Sequence, residues 1–180
     1  MGRDRWRRRF CGLAPEHALR DWLSEPGSLT ARCRQSCRHF AVRVLRQGKG
    51  VALIDEESPR QLVEIREVVL ECDGQPVIFA HSTLSTAAHG RLGRWFAGLG
   101  GASLGALLFI RPGFRREPIE FRRLDARHPL FKRAAQLCQP GPTLWARRSR
   151  HRFGTQDVLV TEVFLPAIGA LVRPAILPAR

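Results

Sequence analysis

The segment from Leu62 to Leu84 constrains the fold of this chain more than any other. Leu62–Cys72 is dense in Val, Ile and Leu, Asp73-Gly74 follows, and Pro76–Leu84 returns. Asp-Gly between two apolar runs is the strongest short-range signal for a two-residue hairpin, because both residues tolerate the positive φ such a turn requires. A simple register from Cys72 opposite Gln75 places Arg66 opposite His81. Arg66 shares its strand face with Leu62, Val68 and Leu70, where a guanidinium calls for an anionic partner. That partner is either a bound ligand or an internal carboxylate such as Glu64.

A second hairpin closes the chain, with strands at Thr143 to Phe153 and Val158 to Leu165 around a turn at Gly154 to Asp157. Simple pairing sets Ser149 opposite Glu162, with Arg147 and His151 flanking Ser149. Glu162 then lies between Val160 and Phe164, so its carboxylate is either paired, with Arg147 as the obvious partner, or engaged in chemistry.

The remaining text supplies helices and further strands. Pro15 opens a helix carrying Ala18, Leu19, Trp22 and Leu23, with Gly27 as its C-cap, and Ser28 caps a second whose apolar face is Leu29, Cys33, Cys37 and Phe40. Strands are expected at Ala41 to Leu45 and Val51 to Ile54, a helix over Ser85 to Leu99 ended by Gly98, Gly100 and Gly101, strands at Leu107 to Arg111 and Pro118 to Leu124, and a helix from Pro129 to Cys138. Gly100 and Gly105 bracket four residues, but Ala106 and Leu107 stand where a phosphate loop needs Lys and Ser or Thr. The whole reads as one α+β domain over 14–167, a twisted, mostly antiparallel sheet with flanking helices, after a basic arm at 1–13 and before a loose tail at 168–180.

Charge narrows the partners without choosing one. The 180 residues carry a net +14, and of 30 basic residues only Lys49 and Lys132 are lysine, leaving 28 arginines. Such a balance favours anions, whether nucleic acid, acidic lipid or a small carboxylate. The first two helices resemble a DNA-reading pair only in charge, and the chain then runs straight into strands, so no specific nucleic-acid partner is expected. No apolar run approaches the ~20 residues of a membrane span, and no apolar core segment follows the N-terminal arginines. Five cysteines, an odd number, suit free thiols in a cytoplasmic protein, and Cys33 and Cys37 with His39 fit no common zinc spacing.

Four ordered blocks carry a resemblance. They are Trp22-Leu23 with Gly27 to Thr30; Arg66-Glu67 through Asp73, Gly74 and Pro76; Ser103 to Gly105; and Leu144 to Arg150 with Thr161 to Pro166. Together they resemble the chorismate pyruvate-lyase family of ubiquinone biosynthesis. The resemblance implies a cofactor-free lyase that converts chorismate to 4-hydroxybenzoate and pyruvate in the cytoplasm, on the α+β fold already read; a monomer without a metal is expected. It puts the ligand contacts on Leu29, Arg66, Leu104 and Glu162, with Arg66 and Glu162 the catalytic pair. Leu29 stands where some members have methionine, and 123–141 is longer than in compact members. GntR-type sensing domains share the fold, which leaves a non-catalytic carboxylate-binding domain as the alternative.

Overall fold

A computed structural model describes residues 5–10, 15–56, 59–85, 91–100, 102, 104, 108 and 113–171. Its elements are α1 (His17–Leu23), α2 (Leu29–Ser36), β1 (Phe40–Val51), β2 (Leu62–Cys72), β3 (Gln75–Ser85), α3 (Arg91–Ala97), β4 (Arg115–Arg116), β5 (Glu120–Asp125), α4 (Pro129–Ala134), β6 (Thr143–Phe153) and β7 (Gln156–Phe164), then a 3-10 turn at Pro166–Ala170. The strands form one sheet in the order β1-β2-β3-β7-β6-β4, with β5 also on β6. Every strand pairing among the described residues is antiparallel.

Both expected hairpins form, and in each the register departs from simple counting. At the first, Asp73 (φ 49) and Gly74 (φ 78) make the turn with both central residues at positive φ. A bulge then intervenes, so that Leu70 faces Ile78 and Arg66 faces Ser82 rather than His81. Pro76 has no N–H for the ladder, and the extra residue, Val77, sinks into the core while its carbonyl accepts Leu165 N. His81 pairs with Glu67 instead, on the other face. At the second hairpin the turn is the two residues Gly154-Thr155, since Phe153 pairs with Gln156. Gly154 at φ 60 supplies the positive φ. Glu162 therefore faces Arg147, and Ser149 faces Val160.

Other boundaries also move. The first of the two strands expected across 41–54 runs on as β1 to Val51, with a bulge between Val44 and Arg46, and 52–54 form no strand. α1 ends at Ser24 rather than Gly27, whereas Ser28 does cap α2 by accepting Ala31 N. α3 is described from Arg91, and the strand expected at 107–111 falls outside the described residues except for Leu108, which is helical. α4 stops at Ala134. The 3-10 turn keeps the chain packed beyond 167, with Ile168 3% exposed in the core. Part of the basic arm is likewise docked: Arg7 bridges to Phe121, Phe10 stacks on the Phe121 ring, and Trp6 Nε1 donates to Asp55 Oδ2 at 2.8 Å.

The sheet is covered on both faces. The front carries two apolar clusters. One joins Val68, Leu70, Ile78 and Phe164 to Trp22, Leu23, Leu29 and Cys33 of the α1–α2 layer. The other joins Leu84, Val158 and Val160 to Leu92, Phe96 and Leu99 of the α3 layer and to Leu104 and Leu108. On the back, Val69, Phe79, Ala146 and Val163 pack against Leu130, Phe131 and Ala134 of α4, so the longer 123–141 segment builds core. Much of the arginine is committed to ion pairs within the chain: Arg43 with Glu71, Arg122 with Asp55, Arg148 with Glu120, and Arg150 with Asp157.

Candidate active site

Directly paired residues of an antiparallel sheet share a face, so the register alone assembles the site. Leu70, Ile78 and Phe164, on the front beneath α1 and α2, are apolar. One step along the strands, Val68, Ala80, Glu162 and Arg147 lie side by side across β2, β3, β7 and β6. The next step brings Arg66, Ser82, Val160 and Ser149 abreast, and beyond it Leu84 and Val158 lead to His151 and, on β4, Arg116. A polar band thus crosses the front face between the two apolar clusters.

Arg66 is 1% exposed, and its Nη2 donates to Gly100 O at 2.9 Å and Ala102 O at 2.7 Å. Its buried Nε has no hydrogen bond, and no carboxylate among the described residues lies within ion-pair distance, so Glu64 is not its partner. Burial depresses its pKa, as expected for a cation without a counter-charge. A buried guanidinium held only by carbonyls is costly unless something anionic joins it.

Glu162 is different. Its Oε2 accepts Arg147 Nε at 2.7 Å, so the internal pair is made, yet its side chain keeps 13% of its surface open and Oε1 has no partner among the described residues. Arg147, 1% exposed, also donates from Nη1 to Glu25 O at 2.6 Å and Leu23 O at 3.4 Å, while Arg116 Nη1 reaches Pro26 O at 2.7 Å. Two sheet arginines therefore hold the loop that leads into α2. From strand spacing, Arg66 and Glu162 lie two strands and one side-chain step apart, roughly 12 Å between backbones. Both side chains rise from the same face, Arg66 toward the Gly100 and Ala102 carbonyls and Glu162 toward Arg147.

The four residues singled out by the resemblance are distributed around this band. Arg66 and Glu162 share it, Leu29 lies in the α1–α2 cluster, and Leu104 lies in the α3 cluster just beyond the carbonyls that hold Arg66. Arg116 escaped sequence reading because a two-residue strand has no periodicity to expose it. Burial and the neighbouring Arg147 push its pKa down to about 10. His151 Nε2 lies 3.2 Å from Ser149 Oγ, and burial together with Arg116 and Arg147 pushes its pKa down to about 4, so the ring is neutral at physiological pH. Cys33 is pushed up to about 12 by burial, which makes it an inert core thiol. Among the described residues, no group of three or more His, Cys, Asp or Glu is placed to hold a metal ion.

Comparison with known proteins identifies the family. The family model for chorismate lyase matches residues 5–172. A probable chorismate pyruvate-lyase of Dechloromonas aromatica (strain RCB) is 60% identical over 175 residues, covering 95% of this chain and 99% of that one. Its counterpart in Azoarcus sp. (strain BH72) is 45% identical, covering 85% and 86%. Among solved structures, the C-terminal domain of a histidine utilization repressor from Pseudomonas syringae pv. tomato shares the fold at TM-score 0.50 and 12% identity, over 79% of this chain and 98% of that one. With a family match over nearly its whole length and relatives this similar end to end, the chain belongs to the chorismate lyase family.

Proposed function

We propose that the protein converts chorismate to 4-hydroxybenzoate and pyruvate, supplying the ring precursor of ubiquinone. The observation that carries this reading is the placement, on one buried face, of a guanidinium with no counter-charge among the described residues and a carboxylate with one oxygen unpartnered among them. Arg66 takes the ring carboxylate of substrate and product through a charge-assisted pair. Glu162 Oε1 accepts the ring hydroxyl that becomes the phenol, while Arg147 fixes the other oxygen. Leu29 and Leu104 close apolar surface over the ring from the two flanking clusters.

In the reaction the ether carbon–oxygen bond breaks, and the ring carbon bearing the hydroxyl loses its hydrogen. The enolpyruvyl group leaves as pyruvate, its methylene gaining a hydrogen to become methyl. Aromatisation of the ring drives the step, so no cofactor or metal is called for. Chorismate has competing unimolecular outcomes, and the site's task is to hold the side chain where cleavage is favoured. The same reading has the enzyme as a cytoplasmic monomer without a specific nucleic-acid partner. No described helix is long and apolar enough to cross a membrane.

The test is direct. Purified protein incubated with chorismate should release 4-hydroxybenzoate, seen by its absorbance after chromatography, and an equal amount of pyruvate, seen with a lactate dehydrogenase couple. Binding of 4-hydroxybenzoate without any turnover would instead make the protein a carboxylate-binding domain on the same fold.

A further inference from the structure

We propose that Ser149, His151 and Arg116, with Arg147 behind them, form the subsite for the enolpyruvyl carboxylate of chorismate, the group that leaves as pyruvate. The proposal rests on the function inferred above and adds where the second carboxylate goes.

The geometry leaves two directions and favours one. A ring held by its carboxylate at Arg66 and by the opposite hydroxyl at Glu162 spans β3 diagonally. Its ether oxygen is on the carbon beside the hydroxyl-bearing one, so the side chain projects sideways from the Glu162 end. Toward α1 and α2 it would meet Ala80, Ile78 and Phe164, an apolar surface continuous with the core. A carboxylate buried there would lose its water and gain no donor. On the opposite side, Val160 leads to Ser149 directly across the ladder, then to His151 and Arg116 at the next step.

That side is built for an anion. Among the described residues the guanidiniums of Arg66, Arg116 and Arg147 face the band, and Glu162 balances one of them through its pair with Arg147. Glu25 offsets part of this charge at Arg116, but its own oxygens are held by Gly27 N at 2.9 Å and by Arg32 at 3.3 Å rather than by the sheet guanidiniums. The low pKa of His151, caused by burial and by Arg116 and Arg147, reports a positive local field. A neutral imidazole beside the Ser149 hydroxyl, 3.2 Å away, also offers hydrogen-bonding groups that add no charge of their own. A dianionic substrate fits this surplus better than the monoanionic aromatic product, which lacks the second carboxylate. The arrangement therefore favours chorismate over 4-hydroxybenzoate, and the subsite is emptied when pyruvate leaves.

The experiment separates the two carboxylates. Arg116→Gln and Ser149→Ala are compared with wild type for chorismate KM and kcat, for 4-hydroxybenzoate affinity by calorimetry, and for melting temperature. The expected result is a chorismate KM raised tenfold or more in Arg116→Gln and severalfold in Ser149→Ala, with product affinity within twofold of wild type. Arg116→Lys should recover part of the loss, because it restores charge without the planar fork. Parallel losses of KM and product affinity, or no change in either, would overturn the subsite. Should Arg116→Gln fail to fold, Ser149→Ala decides by the same criterion. Failure of wild-type protein to turn over chorismate would remove the functional reading, whereas normal turnover with unshifted KM in the folded variants removes only the subsite.

Discussion

Arg147 Nε meets Glu162 Oε2 at 2.7 Å, and the same guanidinium reaches back to the carbonyls of Leu23 and Glu25. One buried cation thus both orients the site carboxylate and holds the loop preceding α2. Removing it strands a carboxylate and two carbonyls together. Arg147→Ala should therefore lower unfolding free energy by about 3–5 kcal/mol, the scale for breaking a buried pair by deleting one partner. Urea unfolding followed by tryptophan fluorescence measures this, and a loss under ~1 kcal/mol would show that the pair does not hold the layers together.

Glu162→Gln separates orientation from proton transfer. The amide keeps the shape and can still accept a hydrogen bond, but it cannot take a proton as a carboxylate does. If the carboxylate shares in the transition state as a base, turnover should fall by ~10²-fold or more with product affinity changed less. If it only orients the hydroxyl, Gln should retain most activity and Glu162→Ala should lose more. Wild-type turnover in Glu162→Ala would remove the residue from the reaction.

Arg66→Ala should weaken chorismate and 4-hydroxybenzoate alike, because both carry the ring carboxylate. A lost charged hydrogen bond is worth ~1.5–3 kcal/mol, so product affinity should drop roughly tenfold or more. Stability should fall little or even rise, since the variant no longer buries a guanidinium without a counter-charge. Unchanged product affinity in a folded variant would make Arg66 a brace for the Gly100 and Ala102 carbonyls.

Arg66 and Glu162 were legible in the sequence because each interrupts an apolar strand face, and alternation depends on nothing beyond the strand itself. Arg147 was legible as the partner of Glu162, but the carbonyls that hold Arg66 and the register of the first hairpin were not. At the bulge the Val77 carbonyl accepts Leu165 N from just beyond β7, nearly ninety residues away, and no local pattern reports that partner. That one residue moves His81 from the site to the back of the sheet. β1 was read as two strands because Gly48 and Gly50 look like a turn, yet the edge position lets a bulged strand carry them through. The N-terminal arginines suggested a free arm, whereas Trp6, standing among them, finds Asp55 only once the sheet is assembled.

The layers over the front face should respond to product. Arg147 and Arg116 hold Leu23, Glu25 and Pro26, and Arg66 holds Gly100 and Ala102, so both covers are fastened to the groups proposed to bind ligand. Amide exchange at 28–33 and 98–104 should slow when 4-hydroxybenzoate is added, relative to the back-face segment 130–134. Equal exchange with and without product would indicate an open groove.

Two of the buried histidines, His151 and His81, should bend the stability–pH curve in opposite senses. His151 on the front is depressed to about 4 by burial and by Arg116 and Arg147, so the unfolded chain binds its proton more readily. Its contribution is present above about pH 6.5 and is lost as pH falls toward 4, on the order of 3 kcal/mol in full. His81 on the back is raised: burial opposes its charge, but Glu67 Oε1 at 2.8 Å and Glu56 Oε1 at 3.0 Å together outweigh that. Arg133 also contacts Glu67 and tempers the effect without reversing it. The contribution of His81 is therefore full below about pH 6.5 and is lost as pH rises through its raised value. His151→Gln should flatten the acid limb between pH 6.5 and 4, and His81→Gln the limb above 6.5, in urea unfolding at stepped pH. Asp55 and Glu67, both lowered, lose their contributions only as pH falls through the ordinary carboxylate range, so they meet the His151 window at its acid end alone. Loss of the same limb in both variants would mean that the two rings do not sit in opposite fields across the sheet.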